Sequence, residues 1–146
     1  MTLLALFLSL AQASPKKGLR GTICAGNSSD CPVAQIGLMY VNNRFGVGVG
    51  GLPFPLGVNV GFQYYLSDSA KDTRYFIGTS AGGSISGFYD MAAIGLKAGV
   101  DVHIFESRRT ILTPRIGMDY VSSSGLFLTK DASFRPTLSL QISRSD

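Results

Sequence analysis

Taken every second residue, the stretch 92–105 (AAIGLKAGVDVHIF) separates into two lists. Ala92, Ile94, Leu96, Ala98, Val100, Val102 and Ile104 are all apolar. Ala93, Gly95, Lys97, Gly99, Asp101 and His103 are small or charged, and only Phe105 closes that list with a bulky apolar group. A period of two is the side-chain period of a β-strand, whose successive residues face opposite sides. A helix would scatter the same aliphatics around its axis. The stretch therefore reads as a long strand with one aliphatic face and one face of glycine and charge.

The same alternation returns along the chain. Ala34, Ile36, Leu38 and Tyr40 alternate with Gln35, Gly37 and Met39, and Asn42-Asn43 then supplies a tight turn. Phe45, Val47 and Val49 alternate with Gly46, Gly48 and Gly50 before Leu52-Pro53-Phe54-Pro55 breaks the ladder. Leu56, Val58, Val60, Phe62, Tyr64 and Leu66 face one side against Gly57, Asn59, Gly61 and Gln63, and a polar turn follows at 67–72. Residues 74–86 are extended but Gly- and Ser-rich, with either face able to be the inner one. Leu112, Ile116, Met118 and Tyr120 oppose Thr113, Arg115, Gly117 and Asp119, with a turn expected at 122–124. The last clear strand is 135–143, where Leu138, Leu140 and Ile142 oppose Thr137, Ser139 and Gln141.

Composition decides what the two faces meet. Charged residues are 15% of the 146 and Gly numbers 18, whereas soluble domains carry about 25% charge. A face of Gly, Ser, Thr and Asn with a few isolated charges suits a crowded lumen better than a solvated surface. The aliphatic set Val58, Val60, Phe62, Ile94, Leu96, Val100, Val102, Ile104, Ile116 and Met118 then faces lipid, as in transmembrane barrels with apolar side chains out and polar ones in.

At the N-terminus, residues 3–10 (LLALFLSL) are apolar but far shorter than a membrane-spanning helix, and Ala11-Gln12-Ala13 forms a small-x-small cleavage pattern. Residues 1–13 resemble a secretory signal peptide, although no Lys or Arg precedes the apolar run. Residues 14–32 form a polar segment containing Cys24 and Cys31. In an exported chain, two cysteines at this spacing are expected to form a disulfide closing the loop AGNSSD. Asn27-Ser28-Ser29 also matches a glycosylation sequon, which carries little weight.

The barrel domain is expected at 33–146, a stretch that accommodates eight strands of about 9–11 residues with short connections. Two assignments reach eight: 125–129 is a strand, or 18–24 is the first strand with the disulfide loop after it. Pairing Glu106 with Thr110 would set Lys97 opposite Asp119 and Asp101 opposite Arg115, two favourable cross-strand pairs on the inner face. With His103 these residues make a candidate luminal charge network. Pro114 sits badly in a closed ladder because it has no N–H, so it needs a bulge or a place near the membrane boundary.

This pattern resembles the small outer-membrane barrels of Gram-negative bacteria, the OmpA/OmpX type. Tyr40, Tyr64 and Tyr120 near strand ends match an interfacial aromatic girdle. Such barrels usually end in an aromatic residue, which Gln141-Ile142-Ser143-Arg144-Ser145-Asp146 lacks. The resemblance implies an all-β, antiparallel up-and-down transmembrane barrel, exported to a bacterial outer membrane. It would meet the lipid bilayer and lipopolysaccharide as a monomer, with a surface partner that the residues leave unspecified.

Chemistry adds little. His103 and Asp101 share a strand face about 6.5–7 Å apart, and no serine is placed beside His103, so no catalytic residues, cofactor or metal are expected. The glycines of GVGVGG (46–51) precede no helix and form no phosphate loop. The net charge of +4 is dispersed, which argues against nucleic acid. Arg108, Arg109, Lys16, Lys17 and Arg20 fit two roles equally, meeting anionic head groups or keeping the ends soluble. A side-chain-filled lumen argues for a structural or surface-contact role rather than an open pore. The alternative is a soluble secreted barrel with the aliphatic set turned inward around an apolar ligand, and a lipid-modifying enzyme is a distant third.

Overall fold

The computed structural model describes residues 18–29, 31–52, 56–67, 73–85, 89–104, 110–125 and 128–144. The expected signal segment, Lys16, Lys17, Phe105, Arg108 and Arg109 lie outside them. Eight antiparallel strands close into a barrel in chain order. They are β1 (Gly18–Ser28), β2 (Cys31–Val41), β3 (Phe45–Leu52), β4 (Leu56–Tyr65), β5 (Thr73–Ile85), β6 (Tyr89–Ile104), β7 (Thr110–Gly125) and β8 (Leu128–Arg144). The closing seam is β1 on β8, from Gly21 opposite Arg144 to Gly26 opposite Ser139.

Of the two strand assignments, the second holds. The barrel begins at Gly18, not Val33, and residues 125–129 straddle the end of β7 and the start of β8 rather than forming a strand. Ser122, Ser123 and Ser124 are not a turn either. They extend β7, with a register irregularity between Ser123 and Gly125 where the hairpin tip begins. Serine has weak strand preference, but here each residue is backed by ladder partners on β6 and, for Ser122 and Ser123, on β8.

The β6–β7 register also differs from expectation by two residues. Ile104, not Glu106, pairs with Thr110. Lys97 therefore lies opposite Gly117, Asp119 opposite Gly95, and Arg115 opposite Gly99. A slip of two keeps every side chain on its face, so the inner set is unchanged while each pairing changes. Glycine thus faces Lys97, Arg115 and Asp119 across β6–β7, while across the other ladders Asp101 lies opposite Arg74 of β5 and Asp119 opposite Arg135 of β8. Pro114 falls where the β6–β7 ladder is interrupted, between the pairs Gly99–Arg115 and Val102–Leu112. No residue is inserted there, so the missing N–H is absorbed by a local gap rather than a bulge.

Burial is inverted relative to a soluble core. Among the described residues, 18 polar or charged ones are buried against 9 apolar ones, while 22 large apolar residues are exposed. Part of the apolar minority gathers at the end of the barrel where β1 begins and β8 ends. There Met39, Val41, Tyr65 and Phe76 form a small cluster, with Tyr65 and Phe76 in an edge contact at 5.8 Å.

Candidate functional site: the filled lumen

Three groups of side chains fill the lumen. Nearest the end where β1 begins, Asp101 of β6 is 2% exposed and accepts three hydrogen bonds. Arg20 Nη1 donates from 3.3 Å, Tyr65 Oη from 2.8 Å and Thr113 Oγ1 from 2.8 Å. Arg20 and Asp101 form an ion pair with both partners buried, a geometry that repays desolvation only because other donors satisfy the carboxylate. Beside it the Arg74 guanidinium lies 3.7 Å from the Tyr65 ring centroid and donates to the Asn43 carbonyl at 2.6 Å, tying the β2–β3 turn over this end.

In the middle, Arg115 donates to Gln141, whose own amide donates to Ser143 Oγ at 2.7 Å. Gln35 of β2 and Asn59 of β4 exchange amide hydrogen bonds over the intervening strand β3. A side chain at Gly50 would stand 2.7 Å from the Gln35 amide nitrogen and 3.0 Å from Asn59 Oδ1, so the amide pair occupies space that only glycine leaves. Between these groups lies a cavity of about 20 Å³ lined by Thr22, Gln35, Asn59, Gln63, Arg115 and Gln141, among others. That is room for about one water.

The third group closes the other end. Ser29, at the tip of the β1–β2 hairpin, donates its backbone N–H to the Asp119 carboxylate on β7, and its Oγ lies 2.6 Å from Ser80 Oγ on β5. The disulfide Cys24–Cys31 is present and buried beside this tip. Asn27 does not offer a free sequon amide. Its Oδ1 accepts from Leu138 N at 2.7 Å and its Nδ2 donates to the Pro136 carbonyl, so its carboxamide continues the seam to β8 where the β1 backbone has left it.

Of the expected luminal residues, Lys97, Asp101, Arg115 and Asp119 are buried and His103 is half-buried opposite Ile111. The structure does not set Asp101 against Arg115 or Lys97 against Asp119; Asp101 takes Arg20 instead, across the closing seam. Arg20, expected near lipid head groups or in solvent, is 1% exposed and faces the lumen, because β1 is a barrel strand rather than a polar lead-in. Tyr65, Arg74, Ser29 and Ser80 were also missed. Period-two counting from Tyr64 places Tyr65 inward, whereas nothing local to Ser29 signals its reach to β5.

On the outer face Val58, Val60, Phe62, Ile94, Leu96, Ile116 and Met118 are exposed, while Val100, Val102 and Ile104 are partly covered. Tyr40, Phe45, Tyr64 and Tyr75 lie exposed toward the end where β1 begins, and Tyr120 and Phe134 pack at 5.1 Å toward the other. No family model, curated protein or solved structure matches this chain.

Proposed function

We propose that this chain is a small bacterial outer-membrane β-barrel, exported by residues 1–13 and inserted as a monomer with its aliphatic face in lipid. The observation that carries the reading is the inverted burial: among the described residues, 22 large apolar ones are exposed and 18 polar or charged ones are buried. Soluble monomers rarely expose contiguous apolar patches beyond about 300–600 Å². The outward apolar positions of β7 run from Leu112 to Tyr120. Those eight residue steps cover about 26 Å along the strand, or about 20 Å of height at the ~35–45° tilt of such barrels, most of their ~25 Å apolar band. Aromatic residues toward both ends fit interfacial girdles.

The alternative of a soluble barrel around an apolar ligand needs Val58 and Val60 inside, and they are 67% and 48% exposed. It also needs an apolar chamber, where this lumen holds the Arg20–Asp101 ion pair and amides around a water-sized void. The role that fits is structural support or surface contact, with a lipopolysaccharide-bearing bilayer as the immediate partner. The long strands β6, β7 and β8, of 16, 16 and 17 residues, supply the surface. Beyond Ser139, toward its start, β8 is laddered to β7 alone, so this ribbon extends past the closed ring.

The test is extraction and heat-modifiable gel migration of the chain expressed with residues 1–13. The expected result is a band that requires detergent and changes mobility on boiling. Recovery in the soluble fraction with no mobility change overturns the reading.

A further inference from the structure

We infer that the β1–β2 hairpin is a movable panel of the barrel wall, which leaves and rejoins it as one body while β4 to β8 stay folded, and which closes last as the chain enters lipid. The ladders are unevenly distributed around the ring. β1 pairs with β8 only from Gly21 opposite Arg144 to Gly26 opposite Ser139. β2 pairs with β3 only from Ile36 opposite Gly51 to Val41 opposite Gly46. Among the described residues these are the two shortest ladders of the barrel, and both border the same hairpin. The other wall is bound far more heavily. β6 meets β7 from Tyr89 opposite Gly125 to Ile104 opposite Thr110, and β7 meets β8 from Thr110 opposite Arg144 to Gly125 opposite Leu128.

Within itself the hairpin is coherent. β1 and β2 pair along their full lengths, from Gly18 opposite Val41 to Ser28 opposite Cys31. The Cys24–Cys31 disulfide adds a covalent bond between the two strands. A unit stapled inside and briefly seamed on both sides opens cooperatively, so its strands move together rather than one at a time.

β3 supplies the line of release. Its inward positions Gly46, Gly48 and Gly50 carry no side chains, so β3 gives the panel no luminal packing. Gly50 has a steric reason, because the Gln35–Asn59 amide pair stands where its Cβ would be. Gly46 and Gly48 have none. A Cβ at either would meet its nearest neighbours at 3.5 Å, an ordinary contact, and neither has a positive φ. Glycine in a strand interior gives up more backbone entropy on folding than alanine does. Two glycines where space admits alanine therefore weaken the strand on which the panel docks.

The wall left behind keeps its own bonds. When Arg20 departs, the Asp101 carboxylate retains Tyr65 Oη of β4 and Thr113 Oγ1 of β7 as donors, each at 2.8 Å. Arg74 of β5 donates to the Asn42 and Asn43 carbonyls and so holds the turn about which the panel moves. Opening breaks the Arg20–Asp101 pair, the Gln35–Asn59 exchange and the Asn27 bonds to β8, and it bares backbone edges on β3 and β8. This last consequence, which rests on the membrane reading above, sets when the panel opens. Open sheet edges do not occur in hydrocarbon, so the panel parts in water or in a detergent micelle and shuts on insertion.

The test is hydrogen exchange read by mass spectrometry on the full chain in detergent micelles, with heat-modifiable migration run beside it. Peptides from β1 and from β2 are expected to exchange at one common rate, about tenfold or more faster than peptides from β6 and β7. Gly46→Ala/Gly48→Ala is expected to slow β1 and β2 about fivefold while β6 and β7 keep their rates. In phosphatidylcholine vesicles the hairpin is expected to fall to the rate of the β6–β7 wall. Equal rates for the hairpin and for β6–β7 in micelles overturn the panel, as do β1 and β2 rates that differ from each other. Alanines without effect overturn β3 as the line of release, and the wild-type comparison stands whether or not that variant folds. Fast hairpin exchange that persists in vesicles, on a barrel whose migration is heat-modifiable, overturns closure on insertion. If the chain is soluble and its band does not shift, the membrane reading falls, and the same rates read in buffer decide the panel.

Discussion

Asp119 on β7 lies directly opposite Gly95 on β6, and its carboxylate occupies the volume in which a Cβ at Gly95 would stand. Glycine there is a space requirement set by a partner on the next strand. Gly95→Val is expected to displace Asp119 from the Ser29 N–H and to destabilise the barrel by about 1–3 kcal/mol, the usual cost of overpacking. Urea unfolding followed by tryptophan-free far-UV circular dichroism checks it; an unchanged midpoint would mean that Asp119 swings aside without loss.

The Arg20–Asp101 pair joins the first strand to the sixth, with both side chains almost fully buried. Asp101→Leu takes this carboxylate from the buried Arg20 guanidinium and is expected to cost about 3–5 kcal/mol. Arg20→Met with Asp101→Leu removes both charges and should restore much of that stability. A double-mutant cycle in urea measures the coupling. If the double variant is no better than the sum of the singles, the pair does not act as a unit.

How much of this was legible in the chain differs from face to face. The alternation in β6 marked Lys97 and Asp101 as inner and Ile94 and Leu96 as outer, because pleat geometry depends on residue parity alone. Eight strands followed from length. Partner identity did not follow, because a register two residues away from the expected one sets Lys97, Arg115 and Asp119 against glycines of the β6–β7 hairpin and leaves Asp101 opposite Arg74 of β5, a strand whose faces the chain left open. Arg20 was misplaced for a different reason. Its partner is 81 residues away across the barrel closure, and nothing near Arg20 in sequence points to Asp101. The reach of Ser29 to β5 and β7 was likewise invisible, since the spacing of Cys24 and Cys31 says only that a loop is closed.

At the seam, Asn27 replaces ladder hydrogen bonds that β1 no longer supplies to β8. Asn27→Ala leaves the Leu138 N–H and the Pro136 carbonyl without these partners, with a loss of about 1–2 kcal/mol expected. Hydrogen exchange at Leu138 is the local probe. Faster exchange confined to the start of β8 would mark the seam as the weak line of the barrel, whereas uniform acceleration would place the loss in global stability.

The outer face gives the sharpest contrast between media. Leu96 is 72% exposed near the middle of β6, so in water an arginine there should cost little, as surface substitutions generally do. In a bilayer the same side chain lies at the apolar band, where Leu96→Arg is expected to cost about 2–4 kcal/mol near the midplane. Folding titrations of this variant into phosphatidylcholine vesicles, beside Phe134→Arg toward the far end of the apolar face, read out depth. The expected outcome is a large penalty at Leu96 and a smaller one at Phe134, because the cost of a charge falls toward the interface. Equal and negligible penalties would mean that the aliphatic belt does not meet lipid, and the membrane assignment would fall with it.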